Sequence, residues 1–328
     1  MEVSKLPAYL AARLVKAAIV VLAIVICNFF LIHAAPGDPA SIIAGQSGAA
    51  DAKFLEQLRA QFGLDQPLYV QLWLYLKGVL TLDLGFSHRQ QMPVSTLLWE
   101  RLPATLLLTG SAFVFALVVG VSMGALAAKR VGTWWDSIIT VLALVFYATP
   151  LFWVGLMLVL LFSVALEWLP SFGMASVGVE LSGFQAALDV GRHLILPGLT
   201  LGLFYVAVYA RLTRATMLEV ADQDFVRTAR AKGVPEGRIQ RRHVLRNALL
   251  PIITFAGIQA GQVIGGSILV ETVFAWPGIG RLAFDALLAR DYQVLMGVFF
   301  CTSVMVVIFN LLTDLLYAIV DPRVEMAG

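Results

Sequence analysis

Three cations, Arg227, Arg230 and Lys232, stand beside Phe225 and Val226 in a run that reads DFVRTARAKGVPEGRIQRRHVLRNALLP, Asp224 to Pro251. These residue types at this spacing suit docking rather than bond making: apolar knobs (Phe225 and Val226) fill a concave partner, and cations orient it. The order of residues fits a compact two-helix knob. A helical run from Phe225 to Lys232 ends at Gly233, which tolerates a left-handed backbone. Pro235, which lacks only an N–H that a helix start leaves orphaned, begins a second helix that runs into apolar sequence at Leu249. Arg238, Arg241, Arg242 and Arg246 fall on that second helix and read as charges held near a membrane surface.

Motifs for covalent chemistry are absent from the string. None of the six lysines lies in a GxxxxGK[ST] frame, so ATP hydrolysis by this chain is not expected. There is no nucleophile elbow, no HExxH and no paired-cysteine motif. His33, His88, His193 and His243 have no ligand spacing, so no metal is expected. Cys27 and Cys301 sit inside apolar runs and read as small packing residues.

The knob must be carried by membrane elements. Of 328 residues, 59% are hydrophobic and 13% charged, with a mean hydropathy of +0.85; a soluble domain carries about 25% charge. The apolar residues collect into runs of bilayer-crossing length, about 20 residues each. The expected fold is an all-α polytopic membrane protein with about six transmembrane helices: Leu10–Ile32, Pro103–Ala128, Ser137–Leu166, Leu194–Met217, Ala248–Val270 and Val294–Ile319. The third is long for one crossing, and Pro150 is placed to kink it. With the N-terminus inside, 15 of the 23 Lys and Arg residues fall on the inner side, nine of them from Arg211 to Arg246. Both termini are therefore expected to be cytoplasmic. An IHAA string near His33 resembles a cleavage site, but the apolar run Ala17 to Ile32 is longer than a usual signal-peptide core, so an uncleaved anchor is expected.

This topology divides the chain into an N-terminal tail and first helix (1–32), an extracytoplasmic loop region (33–102), a five-helix core (103–320) holding a cytoplasmic loop at 218–247, and a cytoplasmic tail (321–328). The 33–102 region opens with PGDP at Pro36, shows a helical pattern around Ala52–Phe62, and has an amphipathic stretch from Pro67 whose Tyr69, Trp73 and Tyr75 suit a membrane interface. A structural flap packed on the spans is the expectation, ahead of a ligand domain.

Charge is scarce inside the spans. The second, third and fifth have no Asp, Glu, Lys or Arg in their apolar interiors, and Asp314 lies near the inner end of the sixth. Proton-driven carriers and intramembrane proteases need ionisable groups there, so both classes are disfavoured. Small residues recur at four-residue spacing: Gly257, Gly261 and Gly265, Gly120 and Gly124, Gly198 and Gly202. Close packing within one subunit explains these. A sharper reading puts the fifth span at a pore or subunit seam, with Gln259, Gly261, Gln262 and Gly265 on a translocation path. Between the fifth and sixth spans, Pro277, Gly278 and Gly280 are expected to force a turn after an interfacial Trp276.

Eight strings in order carry a resemblance: PGDP at Pro36, DQPLYVQ at Asp65, LDLGFS at Leu82, RTARAKG at Arg227, LRNALLP at Leu245, ETVFAWPGIGRL at Glu271, RDY at Arg290 and DLLYAIVDPR at Asp314. Nearly end to end, the chain resembles permease subunits of peptide-type binding-protein-dependent ABC importers, the dipeptide/oligopeptide/nickel permease family. The resemblance implies a type I importer permease fold with a large extracytoplasmic loop after the first helix. It implies a non-catalytic subunit that translocates di- or oligopeptides across a bacterial or archaeal cytoplasmic membrane by alternating access. Implied partners are a second homologous permease, two ABC ATPase subunits that use ATP and Mg2+, and an extracytoplasmic solute-binding protein; nucleic acid is not implied. A nickel chelate, glutathione or an oligosaccharide is the alternative cargo, and a stand-alone secondary carrier the rival from another class.

In that family RTARAKG corresponds to the EAA loop, whose short helix docks on an ATPase. Carried over, the coupling residues are Asp224, Phe225, Val226, Arg227, Thr228, Ala229, Arg230 and Lys232, with Gly233 as terminator. Arg227, Thr228 and Ala229 stand where the wider family has Glu-Ala-Ala, so no salt bridge of that Glu carries over. The loop with Glu271, Trp276, Pro277, Gly278 and Arg281 corresponds to the outer gate region, with Glu271 and Arg281 placed to pair across it or to meet a docked partner.

Overall fold

A computed structural model describes residues 6–34, 55–56, 59–60, 65–87 and 89–320, with the side chains at 6–12, 261–264, 266 and 314–320 outside the description. PGDP at Pro36, most of the Ala52–Phe62 pattern and the 321–328 tail lie outside the described residues.

Helices dominate, in the order α1 (Leu6–Ala34), α2 (Leu68–Thr81), a hairpin of β1 (Phe86–Ser87) and β2 (Met92–Pro93), α3 (Val94–Lys129), α4 (Trp134–Ala148), α5 (Leu151–Leu158) with a π-helical continuation Val159–Ala165, and α6 (Phe184–Ala221). Then come α7 (Asp224–Ala231), a turn Glu236–Arg238, a π-helical segment Ile239–Leu245, α8 (Arg246–Val273), α9 (Ile279–Ala289) and α10 (Tyr292–Val320). Among the described residues four helices are long and apolar enough to cross a membrane alone, and five if the bent pair α4–α5 counts as one span. The fifth expected span falls within α8.

Two expectations are corrected. Ser137–Leu166, read as one kinked crossing, is a broken pair: α4 and α5 meet at 107°. Pro150 is the cause. It disfavours the helical backbone at the residue before it, and Thr149 is accordingly extended (φ −81, ψ 134). Pro103, the expected start of the second span, lies inside α3, which begins at Val94. Hydropathy sees only the apolar part of a helix, and Glu100 and Arg101 hid its first turns. Pro197 and Pro251 are likewise inside α6 and α8.

The chain divides into two compact units, residues 1–103 with 278–307, and residues 104–277 with 308–328. In the first, the LDLGFS hairpin is tied to the start of α10. Ser87 Oγ donates to Asp291 Oδ2 at 2.6 Å, while Asp291 Oδ1 accepts from the Val294 N–H at 3.3 Å and so caps the helix. Two strings 204 residues apart thereby become one joint.

In the second unit, Leu108, Leu196, Leu201, Tyr209, Ile252, Phe274 and Trp276 are the most deeply buried large members of the core. Glycines bring backbones together within it. A Cβ on Gly120 would stand 2.7 Å from Tyr209 Cβ and 3.0 Å from Val206 O, so α3 and α6 cross at a distance that only Gly allows there. Thr313 Oγ1 donates to Gly257 O at 2.8 Å, drawing α10 onto α8.

Candidate functional site

The α7 helix is short, and its faces divide cleanly. Val226 and Ala229, three residues apart, point inward and join a cluster of Ala125 from α3, Met217 and Val220 from α6, Ile239, Val244 and Ala248. Asp224, Phe225, Arg227, Thr228, Arg230 and Lys232 are exposed. Phe225, 41% exposed, is the only large apolar side chain on the outer face of the helix. Val226 is a correction: read from sequence as a second knob for a partner, it is fully buried. Adjacent residues on a helix point about 100° apart, so Phe225 and Val226 cannot both serve one surface.

The end of α7 is built as a Schellman closure. Gly233 takes φ +71, its N–H donates to Arg230 O at 2.9 Å, and the Val234 N–H donates to Ala229 O at 3.2 Å. Arg230 then forks onto Glu236 across the turn, Nε to Oε2 at 3.2 Å and Nη2 to Oε1 at 3.0 Å, with Gln240 Nε2 also donating to Oε1 at 3.1 Å. These bonds, Arg230 first and Gln240 second, hold the Glu236 carboxyl below its ordinary range. Arg230 is thus engaged within the chain, while Arg227, 3.7 Å from the exposed Asp224, and Lys232 remain on the outer face.

The cluster beneath α7 is bound to α4 through α6. Arg214, one turn before Met217, forks onto Asp136 in the first turn of α4, Nε to Oδ1 at 2.6 Å and Nη2 to Oδ2 at 2.9 Å. The Gly132 N–H donates to Asp136 Oδ2 at 3.1 Å, and the carboxylate is buried. Three turns further along α4, Arg211 stands 4.4 Å from the Tyr147 ring centre, and Tyr147 stacks on Phe204. Sequence reasoning missed this clamp. Its signal was present as Asp136 at the lip of an apolar run and as Arg211 and Arg214 within one, charges that a membrane segment retains only with partners.

The other predicted loop is split in character. Glu271 belongs to the last turns of α8, not to the loop, and is fully buried. Its Oε1 accepts from Thr105 Oγ1 at 2.8 Å and Ser267 Oγ at 3.0 Å. Trp276 is fully buried as well, its Nε1–H donating to Ala104 O at 2.8 Å. An interfacial Trp276 was expected; a buried indole with a satisfied N–H is found. The turn that buries it is made by Ala275 at φ +49 rather than by the glycines, since Gly278 is extended at φ −99, ψ 179 and Gly280 lies within α9. Pro277 ends the 104–277 stretch of the same compact unit, and Arg281, on α9, stands 3.7 Å from Asp285.

Of the proposed path residues, Gln259 is half-buried and Gly265 is exposed with open space around its Cα. The surroundings of Gly261 and Gln262 fall outside the described residues. Among the described residues no group of three His, Cys, Asp or Glu side chains is gathered as a metal would require.

Residues 120–326 match the model of the binding-protein-dependent transport system inner membrane component family, and residues 6–109 match the N-terminal model of the same membrane component. The chain belongs to this family. Its relatives include the dipeptide transport system permease protein DppB of Alkalihalophilus pseudofirmus, 39% identical over 97% of this chain and 99% of that protein. The DppB of Escherichia coli is 41% identical over 92% of this chain and 94% of its own length. Among solved structures, two inward-facing forms of the MetNI methionine ABC transporter match with TM-scores of 0.51 and 0.55. Each covers 69% of this chain and 96% of the matched chain, at 19% and 18% identity. That likeness shows the fold: an all-α, multi-pass membrane protein of the importer-permease type.

As a member of this family, the chain is a membrane subunit, and its RTARAKG string forms α7 and the Gly233 closure. The departure from Glu-Ala-Ala now has a structural counterpart. The third position of that pattern, Ala229, faces the core, and the first, Arg227, faces out.

Proposed function

We propose that this chain is one permease half of an ATP-driven peptide importer, with a second homologous permease, two ATPase subunits that bind ATP and Mg2+, and an extracytoplasmic solute-binding protein. The observation that carries the reading is α7: a short exposed helix whose inner face is locked into the ends of α3, α6 and the start of α8, while Phe225, Arg227 and Lys232 face outward. A displacement applied to such a helix is delivered to the long helices because its inner contacts are close-packed. The Asp136–Arg214 clamp extends the same rigid connection to α4. Lys and Arg placement supports α7 and both termini on the cytoplasmic side. Similarity to two dipeptide permeases supports peptides as cargo.

Gln259, Gly261, Gln262 and Gly265 are our candidates for the solute path. Glu271, Trp276, Pro277, Gly278 and Arg281 are candidates for holding the outer gate. The domain division at 1–32, 33–102, 103–320 and 321–328 is retained as a proposal.

The test is reconstitution with the co-purified partners in proteoliposomes. Arg227→Glu and Gly233→Leu are expected to abolish peptide uptake and solute-stimulated ATP hydrolysis while the chain still folds. Uptake and stimulated hydrolysis that survive both changes intact would overturn the coupling role of α7. A chain that purifies from its native membrane with no ATPase, even after cross-linking through Phe225→Cys, would overturn the importer reading.

A further inference from the structure

Helix α2 is apolar on nearly every side. Its sequence LYVQLWLYLKGVLT contains no acidic residue and one cation, Lys77. At 1.5 Å per residue its 14 residues extend about 21 Å, too short to cross a hydrocarbon core of about 30 Å. A helix this apolar is normally either buried or in lipid, and α2 has no fully buried residue.

One side of α2 is attached to the end of α1. Tyr75 stacks on Phe29 with ring centres 5.9 Å apart, and His33 Nε2 and Gln71 Oε1 are 3.1 Å apart. The side turned away from the protein is the unusual one. Tyr69, Trp73 and Leu80 are 75%, 67% and 83% exposed, and with Lys77 they follow the i, i+4 and i, i+3 spacing of one helix face. A surface helix in water turns its apolar stripe to the core and its polar side out. Here the hydrogen-bonded amide of Gln71 faces the protein and the indole, phenol and leucine face away.

Continuity with α1 decides the medium. Arg13–Ala34 is a membrane span by length and composition, and Phe30 and Leu31, at its far end, are exposed in the same way as the α2 stripe. Phe29 and His33, which hold α2, lie in the last two turns of that span. The attachment therefore sets α2 at the level where α1 leaves the bilayer. Tyr and Trp rings, with one polar edge and an apolar body, partition to that level, and a Lys among them reaches lipid phosphates.

We propose that α2 is an interfacial anchor: it lies along the membrane surface at the leaflet where α1 ends, with Tyr69, Trp73 and Leu80 embedded among lipid headgroups and upper acyl chains and Lys77 at the phosphates. This assigns the 65–82 part of the large loop to lipid rather than to a protein partner or to solute. It holds whichever cargo the importer carries.

The test uses the full chain with its co-purified partners in nanodiscs of phosphatidylethanolamine and phosphatidylglycerol. Single cysteines at Trp73→Cys and Leu80→Cys, in a background with Cys27 and Cys301 replaced by Ser, carry an environment-sensitive fluorophore. Lipids brominated near the glycerol are expected to quench emission at both sites roughly twofold, and to leave a probe at Asp224→Cys unchanged. Tyr69→Cys serves if either variant fails to assemble. Probes at 73 and 80 that emit as in water and ignore brominated lipid overturn the proposal. So do probes that respond to lipid in the isolated chain but lose that response when the partner subunits or binding protein are present, because a protein then covers the face.

Discussion

Two regions of the 104–277 unit satisfy the same constraint by opposite means. The α7 helix is closed by local chemistry: a glycine at φ +71, two backbone hydrogen bonds within six residues, and a forked Arg230–Glu236 pair across the turn. The Glu271–Trp276 knot is closed largely by distant chemistry. Besides Ser267 one turn away, its carboxylate depends on Thr105, 166 residues away, and its indole on the Ala104 carbonyl, 172 residues away. A locally closed element keeps its own shape while it is pushed, which suits a lever. An element closed by remote partners holds its shape only while the helices it joins stay together, which suits a gate or a structural latch. The comparison teaches that a buried WPG turn and an exposed RTARAKG turn, both punctuated by Gly and Pro, cannot be told apart by punctuation alone.

The sharpest way to break the comparison is at its remote end. Trp276→Ala removes a fully buried indole and its hydrogen bond, and is expected to cost about 3–5 kcal/mol. Thermal unfolding in detergent should show a large loss or no folded protein. If it stays fully folded, the knot is not a latch. Glu271→Ala leaves the Thr105 and Ser267 hydroxyls without their acceptor and is expected to cost about 1–3 kcal/mol, with Glu271→Gln recovering part because it keeps a carbonyl oxygen. Equal losses for Ala and Gln would locate the requirement in the charge instead.

At the local end the expected stability effects shrink while the functional ones do not. Gly233→Val forces a β-branched residue to positive φ at about 1–2 kcal/mol. Amide exchange should rise in α7 and leave α8 untouched, whereas ATPase coupling is lost. Phe225→Ala is expected to change unfolding by no more than about 0.5 kcal/mol, since the side chain is exposed. It should nevertheless weaken ATPase association about tenfold or more; unchanged association would return Phe225 to an ordinary surface residue.

The smallest effect is electrostatic. Glu236 has its folded pKa held below the ordinary value of about 4.3 by Arg230 and Gln240. Its contribution is therefore present above the ordinary carboxylate pKa and lost as pH falls through the lower, folded value. Both partners are exposed, so the pair is worth about 0.2–1 kcal/mol. Protection of the Gly233 and Val234 amides should decline only in that acid window and should become flat with pH in Glu236→Gln.

What the residues determined alone was whatever depends on composition and on neighbours a few positions apart. The apolar runs placed helices at every expected span because a bilayer leaves the backbone no alternative. Gly233 and Pro235 placed the end of α7 because φ > 0 and a missing N–H are properties of single residues. Only tertiary structure decided the rest. It buried Val226 and left Phe225 out, since the direction of a helix face depends on what packs behind it. It turned Glu271 and Trp276 inward and joined Asp136 to Arg214 across 78 residues. A charge or an indole in an apolar sequence declares that it needs a partner, but which partner, and on which side, is fixed only when the chain has brought the two within about 3 Å.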